Sequence, residues 1–301
     1  MASEEMRAMA DMLRESGLFS GSEINVAEMR ENMVSMTAPM ADHVTRKDFN
    51  VDGIPLCHIT VAGVREDRGL LYLHGGGYML GSLDTHAELM GRLAEACRAP
   101  VLGVDYRLAP ENPYPAAVED AVASYDRLLA NGIRPDQVVI AGDSAGGGLT
   151  LACLLALKAQ GKPQPAGAVL LSPWTDLTGS GESSRSRAAL DPMISAENLL
   201  PTAKLYIGDT DPADPGVSPL FGDLTGLPPL LIQVGDHEVL LDDSTRLAER
   251  AVAQGVTAEL EIYEEAFHVF QAMPGLPESG DALASIGRFF DRVTGVKEKH
   301  K

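Results

Sequence analysis

The stretch Gly142-Asp143-Ser144-Ala145-Gly146 constrains this chain more than any other. It reads G-x-S-x-G between an apolar run, QVVIA, and a helix-like run, GGLTLACLLALKAQ. A strand that turns at once into a helix has no space for side chains beside the turn, so both flanks are glycine. The residue at the apex is strained, and its hydroxyl stands above the sheet edge. Beneath it the helix N-terminus carries partial positive charge suited to a developing oxyanion. Two other glycine turns do not fit. A Walker loop needs Gly-Lys-Ser/Thr, and no lysine is present. A dinucleotide fingerprint needs G-x-G-x-x-G at the helix start. Ser144 is therefore the candidate nucleophile.

The surrounding pattern agrees with such an elbow. Short β-rich runs are expected at 45–50, 56–61, 69–73, 101–104, 137–141, 168–171, 230–234 and 258–263. The later runs are almost wholly apolar, as in parallel strands buried on both faces. Helical patterns lie between them, at 113–131 and 149–160. Alternation of this kind predicts an α/β layer fold with a parallel sheet. Connections in such folds are short, so the stretch from about 177 to 225 reads as an insertion, with a helix at 196–207. Residues 1–42 carry no strand signal and read as helices, ahead of a main domain spanning 43–301. Met6, Met9 and Met12, then Met29, Met33, Met36 and Met40, recur at helical spacing. Each row is expected either to pack or to line a ligand pocket.

Composition excludes several partners. With 24 Lys plus Arg against 43 Asp plus Glu, the net charge is −19, which repels nucleic-acid phosphates and anionic membranes. No uninterrupted apolar window is long enough to span a bilayer. The opening MASEEMRAMADMLRESG is acidic and amphipathic, unlike a secretory leader. Cys57, Cys97 and Cys153 sit far apart in largely apolar stretches. An odd, scattered count predicts buried reduced thiols in the cytoplasm.

His74-Gly75-Gly76-Gly77 ends the run GLLYL. Three glycines let the chain pass close to a substrate and aim N–H groups at one point. Gly75, Gly76 and Gly77, with the Ala145 N–H, are the candidate oxyanion hole. His74 reads as a brace for that loop. The base must follow Ser144 in chain order, and His268, in EEAFHVF after the last strand, is assigned to it. The acid lies in the turn after LLIQV, where Asp236, Glu238, Asp242 and Asp243 all qualify.

These residues carry a resemblance. LYLHGGGYMLGS, VDYRLAPENPYPAAVED, AGDSAGGGL, LLSPWTDL and EAFHVFQ are similar to the hormone-sensitive-lipase-like branch of the α/β hydrolases, the bacterial HGGG/GDSAGG carboxylesterases. The likeness runs from about residue 70 to 272. It implies an α/β-hydrolase fold, with an eight-stranded, mostly parallel sheet. The same likeness implies an α-helical cap formed by the N-terminal helices and the insertion. Serine carboxylesterase chemistry through Ser144 and His268 is implied, with no cofactor and no metal. Aligning E-V-L-L-D on the family's D-P-L-x-D motif selects Glu238 as the acid, with Asp242 and Asp236 as alternatives. A closed pocket suits small, short-acyl esters. A lactone hydrolase or an amidase would use the same residues, and a non-catalytic binder would have lost the base position. The resemblance also suggests a homodimer through the edge strand 258–263.

Overall fold

The computed structural model describes residues 2–16, 24–35 and 37–295. Eight strands form one sheet: β1 Thr45–Val51, β2 Ile54–Thr60, β3 Gly69–Leu73, β4 Val101–Val104, β5 Val138–Asp143, β6 Gly167–Leu171, β7 Leu230–Gly235 and β8 Ala258–Tyr263. Their spatial order is β1-β2-β4-β3-β5-β6-β7-β8. Pairing is antiparallel at β1–β2 and β2–β4 and parallel at every later junction. The short apolar runs become the central strands because every residue of β3 to β7 is buried. Successive side chains point to opposite faces. Leu71 and Leu73 thus enter one core, and Leu70 and Tyr72 the other.

Helices cover both faces. On the first lie α4 (Ala116–Ala130), α5 (Ala145–Ala159) and α8 (Leu241–Ala253); on the second lie α3 (Ala87–Cys97) and α9 (Pro277–Val293). The insertion holds α6 (Ser183–Ser186) and α7 (Ala196–Ile207). The N-terminal region holds α1 (Glu4–Ser16) and α2 (Val26–Ser35).

Several expected boundaries move, those of β5 and α5 for a visible reason. β5 starts at Val138, because Pro135–Gln137 forms a 3-10 turn, and it runs on to Asp143. The helix expected from residue 149 begins at Ala145, since Gly147 and Gly148 pack directly against Pro173 and Trp174. That contact outweighs the poor helix propensity of glycine.

The methionine rows divide. Met6 and Met9 pack with Ala10, Leu13, Phe267 and Phe270, while Met12 is exposed. Met40 joins the core beneath α3 and α9, and Met29 and Met33 are half-buried. Met36 lies outside the described residues. Arg30 of α2 donates to the carbonyls of Met79 and Ala109 and pairs with Glu111, fastening that helix to the chain beyond β3. All three cysteines are buried and free. Among the described residues, no helix is long and apolar enough to cross a membrane. The strand β8 lies at the sheet's edge, and Ile262 on it is 50% exposed.

Candidate active site

Ser144 sits between β5 and α5 with φ 52° and ψ −121°, a left-handed strain that only a well-anchored residue keeps. Anchoring comes from its backbone. The Ser144 N–H donates to the Leu171 carbonyl at 2.8 Å, and the Ser144 carbonyl accepts from Trp174 N–H at 2.9 Å. A Cβ on Gly146 would lie 2.0 Å from the Leu73 carbonyl oxygen and 2.5 Å from that of His74. The bare glycine is thus what lets the His74–Gly77 loop lie against the elbow.

Register puts the two loops side by side, since Leu73 pairs with Gly142 across β3 and β5. Asp143, the variable position next to the serine, joins them. Its buried carboxylate accepts the Gly75 N–H at 2.9 Å and the Tyr72 hydroxyl at 2.6 Å. His86 Nε2 lies 3.5 Å from its other oxygen. Burial alone would raise this carboxyl, but His86 and Tyr72 outweigh it and hold Asp143 below the usual carboxylate range. Gly76 and Gly77 adopt φ 116° and 62°, turning the loop sharply. The Gly75 N–H is already spent on Asp143, so Gly76, Gly77 and Ala145 are left as the backbone donors. His74 is buried, stacked 4.3 Å from the Tyr106 ring, and bonded through Nδ1 to the Gly75 carbonyl. Burial, with His86 beside it, pushes its pKa down to about 3, which suits a neutral brace. Thr202 of α7 stands 3.0 Å from where a Cβ on Gly77 would lie, so the insertion borders this loop.

The other half of the site comes from β6, β7 and the chain after β8. His268 Nδ1 lies 2.9 Å from Glu238 Oε2, and both side chains are buried. The other carboxylate oxygen, Oε1, accepts the Ser172 hydroxyl at 2.7 Å and the Gly235 N–H at 2.5 Å. Ser172 Oγ in turn accepts the Val269 N–H at 3.1 Å. One serine therefore touches both the acid and the residue after the histidine. The sequence does not single it out, because SPW carries no catalytic pattern; in the structure a φ of 46° sets it apart. Burial pulls His268 down, but the hydrogen bond and charge of Glu238 outweigh it, helped by Asp191 and Asp143, and the pKa is raised. Burial likewise raises the Glu238 carboxyl against the pull of His268 and its donors. With Nδ1–H given to Glu238, Nε2 is the free basic nitrogen.

The remaining acids have other partners. Asp236 accepts the Glu265 N–H at 2.6 Å. Asp242 accepts the Ser183 N–H at 3.0 Å. Asp243 accepts the Thr175 and Asp176 N–H groups at 2.7 and 2.8 Å, and burial raises it to about 7. Among the described residues, no group of three or more His, Cys, Asp or Glu side chains could hold a metal ion.

An elbow serine under a glycine loop, with a buried histidine–carboxylate pair across the sheet, defines an α/β hydrolase. The family model of the alpha/beta hydrolase fold matches residues 70–272. An acetyl-hydrolase of Streptomyces hygroscopicus is 47% identical over 249 residues, 81% of this chain and 83% of the relative. An esterase from the bacterial hormone-sensitive lipase family superposes with a TM-score of 0.94 at 44% identity, over 98% of this chain and 100% of that one. The esterase EstE5, in a crystal soaked with p-nitrophenyl butyrate, gives 0.95 at 42% identity, over 98% of this chain and 100% of that one. The chain belongs to the alpha/beta hydrolase fold family, as an esterase of its bacterial hormone-sensitive-lipase branch.

Proposed function

We propose that this chain hydrolyses short-acyl carboxylic esters through Ser144, His268 and Glu238 by way of an acyl-enzyme. His268 Nε2 takes the proton of the Ser144 hydroxyl as its Oγ bonds to the ester carbon. The N–H groups of Gly76, Gly77 and Ala145 receive the negative oxygen of the tetrahedral intermediate. Collapse breaks the bond to the alkoxy oxygen, and His268 returns the proton to the leaving alcohol. Water then attacks the acyl carbon, giving its proton to His268. The second collapse releases the acid, and the proton returns to Ser144. Glu238 holds the ring tautomer and stabilises the imidazolium.

The observation that carries this reading is the 2.9 Å bond from His268 Nδ1 to Glu238, in the same fold as an elbow serine with φ 52°. Short acyl groups are favoured by the acetyl-hydrolase relative and by the butyrate ester soaked into EstE5. We assign residues 1–42 and 177–225 to a cap, on Thr202 against the Gly77 loop and on Arg30 of α2 bound to the Met79 carbonyl just beyond it. A panel of p-nitrophenyl esters from acetate to palmitate, with simple lactones, tests the substrate class. Acetate or butyrate should turn over fastest. Faster cleavage of palmitate would remove the short-acyl assignment, and faster cleavage of lactones would make the chain a lactone hydrolase. In the same panel Ser144→Ala should lower kcat by about a millionfold; a tenth of the original rate would eliminate Ser144 as nucleophile.

A further inference from the structure

The main chain at His237 and Glu238 is held loosely from the β7–β8 side, although the Glu238 side chain itself accepts the Gly235 N–H at 2.5 Å. Glu238 N–H reaches the Gly235 carbonyl only at 3.4 Å, and His237 N–H reaches the Ala266 carbonyl at 3.2 Å. Shorter bonds come from the insertion between β6 and β7. Asp191 Oδ2 accepts the Val239 N–H at 2.9 Å. Ser183 Oγ donates to the Val239 carbonyl at 2.7 Å and accepts the Asp242 N–H at 3.0 Å. Asp242 Oδ2 accepts the Ser183 N–H at 3.0 Å. The residue after the acid is thus gripped at both its N–H and its carbonyl by a segment some fifty residues upstream, as the 48- and 56-residue separations record.

Asp191 is itself locked. Its Oδ1 accepts the Met193 and Ile194 N–H groups at 2.9 and 3.0 Å. The neighbouring Leu190 carbonyl accepts from Arg14 of α1 at 2.9 Å. We propose that Asp191 is a positioning residue for hydrolysis: from the insertion it holds the Glu238 turn in place. The insertion then does more than cover the substrate, since the acid stays aligned only while this segment is docked. The inference rests on the proposed roles of Glu238 and His268.

The charges that act on the His268 ring are Glu238 from the β7 turn, Asp191 from the insertion and Asp143 from the elbow. A nearby negative charge favours imidazolium, so removing one makes the ring release its proton at lower pH. Four variants separate the roles, each assayed for kcat, KM and the pH profile of kcat/KM on p-nitrophenyl butyrate. Asp191→Asn should lower kcat about tenfold with little change in KM, by misaligning the acid. It should also move the acidic limb of the profile to lower pH. Ser183→Ala, which loosens the same turn without changing charge, should lower kcat a few-fold, on the order of threefold, and leave the limb unmoved. Glu197→Gln removes an exposed charge of the insertion away from the turn and should change neither. Original kcat and limb in a folded Asp191→Asn protein would overturn the proposal. If that variant does not fold, an unchanged kcat in Ser183→Ala overturns the grip instead. Glu238→Gln at the original rate would sink the triad itself, whatever Asp191 does.

Discussion

The two halves of the proposed active site are held in different ways. The oxyanion half is fixed by backbone against backbone: β3 beside β5, Gly146 under the Leu73 and His74 carbonyls, and one buried carboxylate joining the loops. The acid–base half is assembled by side chains reaching between loops, with Ser172, Asp191 and Ser183 as intermediaries. Steric fixing is all or nothing, because a methyl group placed 2.0 Å from an oxygen has nowhere to go. Fixing by hydrogen bonds is graded, since each bond contributes about 1 kcal/mol and can be lost alone. The first half should therefore fail abruptly and the second in steps.

After the loss expected of Ser144→Ala, the largest effect should come from the acid. Glu238→Gln keeps the shape and removes the charge that raises His268. It should lower kcat by about a thousandfold to ten-thousandfold. Only the neutral imidazole acts as base, so kcat/KM should rise with pH through the raised titration of His268, and in the variant that rise should begin at lower pH. Asp236→Asn and Asp242→Asn, whose carboxylates serve backbone N–H groups, should cost far less; a collapse in either with Glu238→Gln near normal would transfer the acid's role.

Next is Asp143, the side chain that joins the two loops of the oxyanion half. Asp143→Ala leaves the Tyr72 hydroxyl and the Gly75 N–H buried without an acceptor. Each orphan costs about 1–3 kcal/mol, and the misplaced loop should lower kcat by about a hundredfold. Thermal melting and kcat measured together check this. Loss of stability with unchanged turnover would show that the glycines position the loop unaided.

Smaller still is Ser172→Ala. It breaks one bond to Glu238 and one from Val269, while Gly235 still serves the same carboxylate oxygen. About a tenfold fall in kcat is expected, with KM little altered. Equality with Asp143→Ala would erase the contrast between the two halves.

The same contrast explains what was legible beforehand. The central strands β3 to β7 and the elbow could be read because burial on both faces and steric exclusion leave few residue types to choose from, while the more exposed β1, β2 and β8 showed only as β-rich runs. Gly142, Gly146 and the Gly75–Gly77 run announce themselves for that reason. Gly75 was harder to place, because a glycine run does not show which N–H is already occupied; Asp143 decides that. Four acids followed β7 in the sequence, and nothing in their types showed that three would be drawn to the N–H groups of Glu265, Ser183, Thr175 and Asp176. Ser172 and Asp191 left no trace, because a serine or an aspartate in a loop serves so many local purposes. The methionine rows were ambiguous in the same sense: the spacing marks a face but not what covers it.

One contact also bears on how the molecule is made. The helix α1 seats Met6, Ala10 and Leu13 against Phe267 and Phe270, Arg7 pairs with Glu265, and Ser3 donates to Glu278. A ribosome releases residues 3–13 long before it releases that seat. At roughly 5–20 residues per second, the wait is on the order of tens of seconds. A 13-residue helix is too short to persist alone in water, so through that interval the segment is an unfolded amphipathic stretch whose Met6, Ala10 and Leu13 lie open to chaperones and proteases. The loop bearing His268 meets α1 only once residues 265–278 have emerged, so the two ends of this contact are made far apart in time.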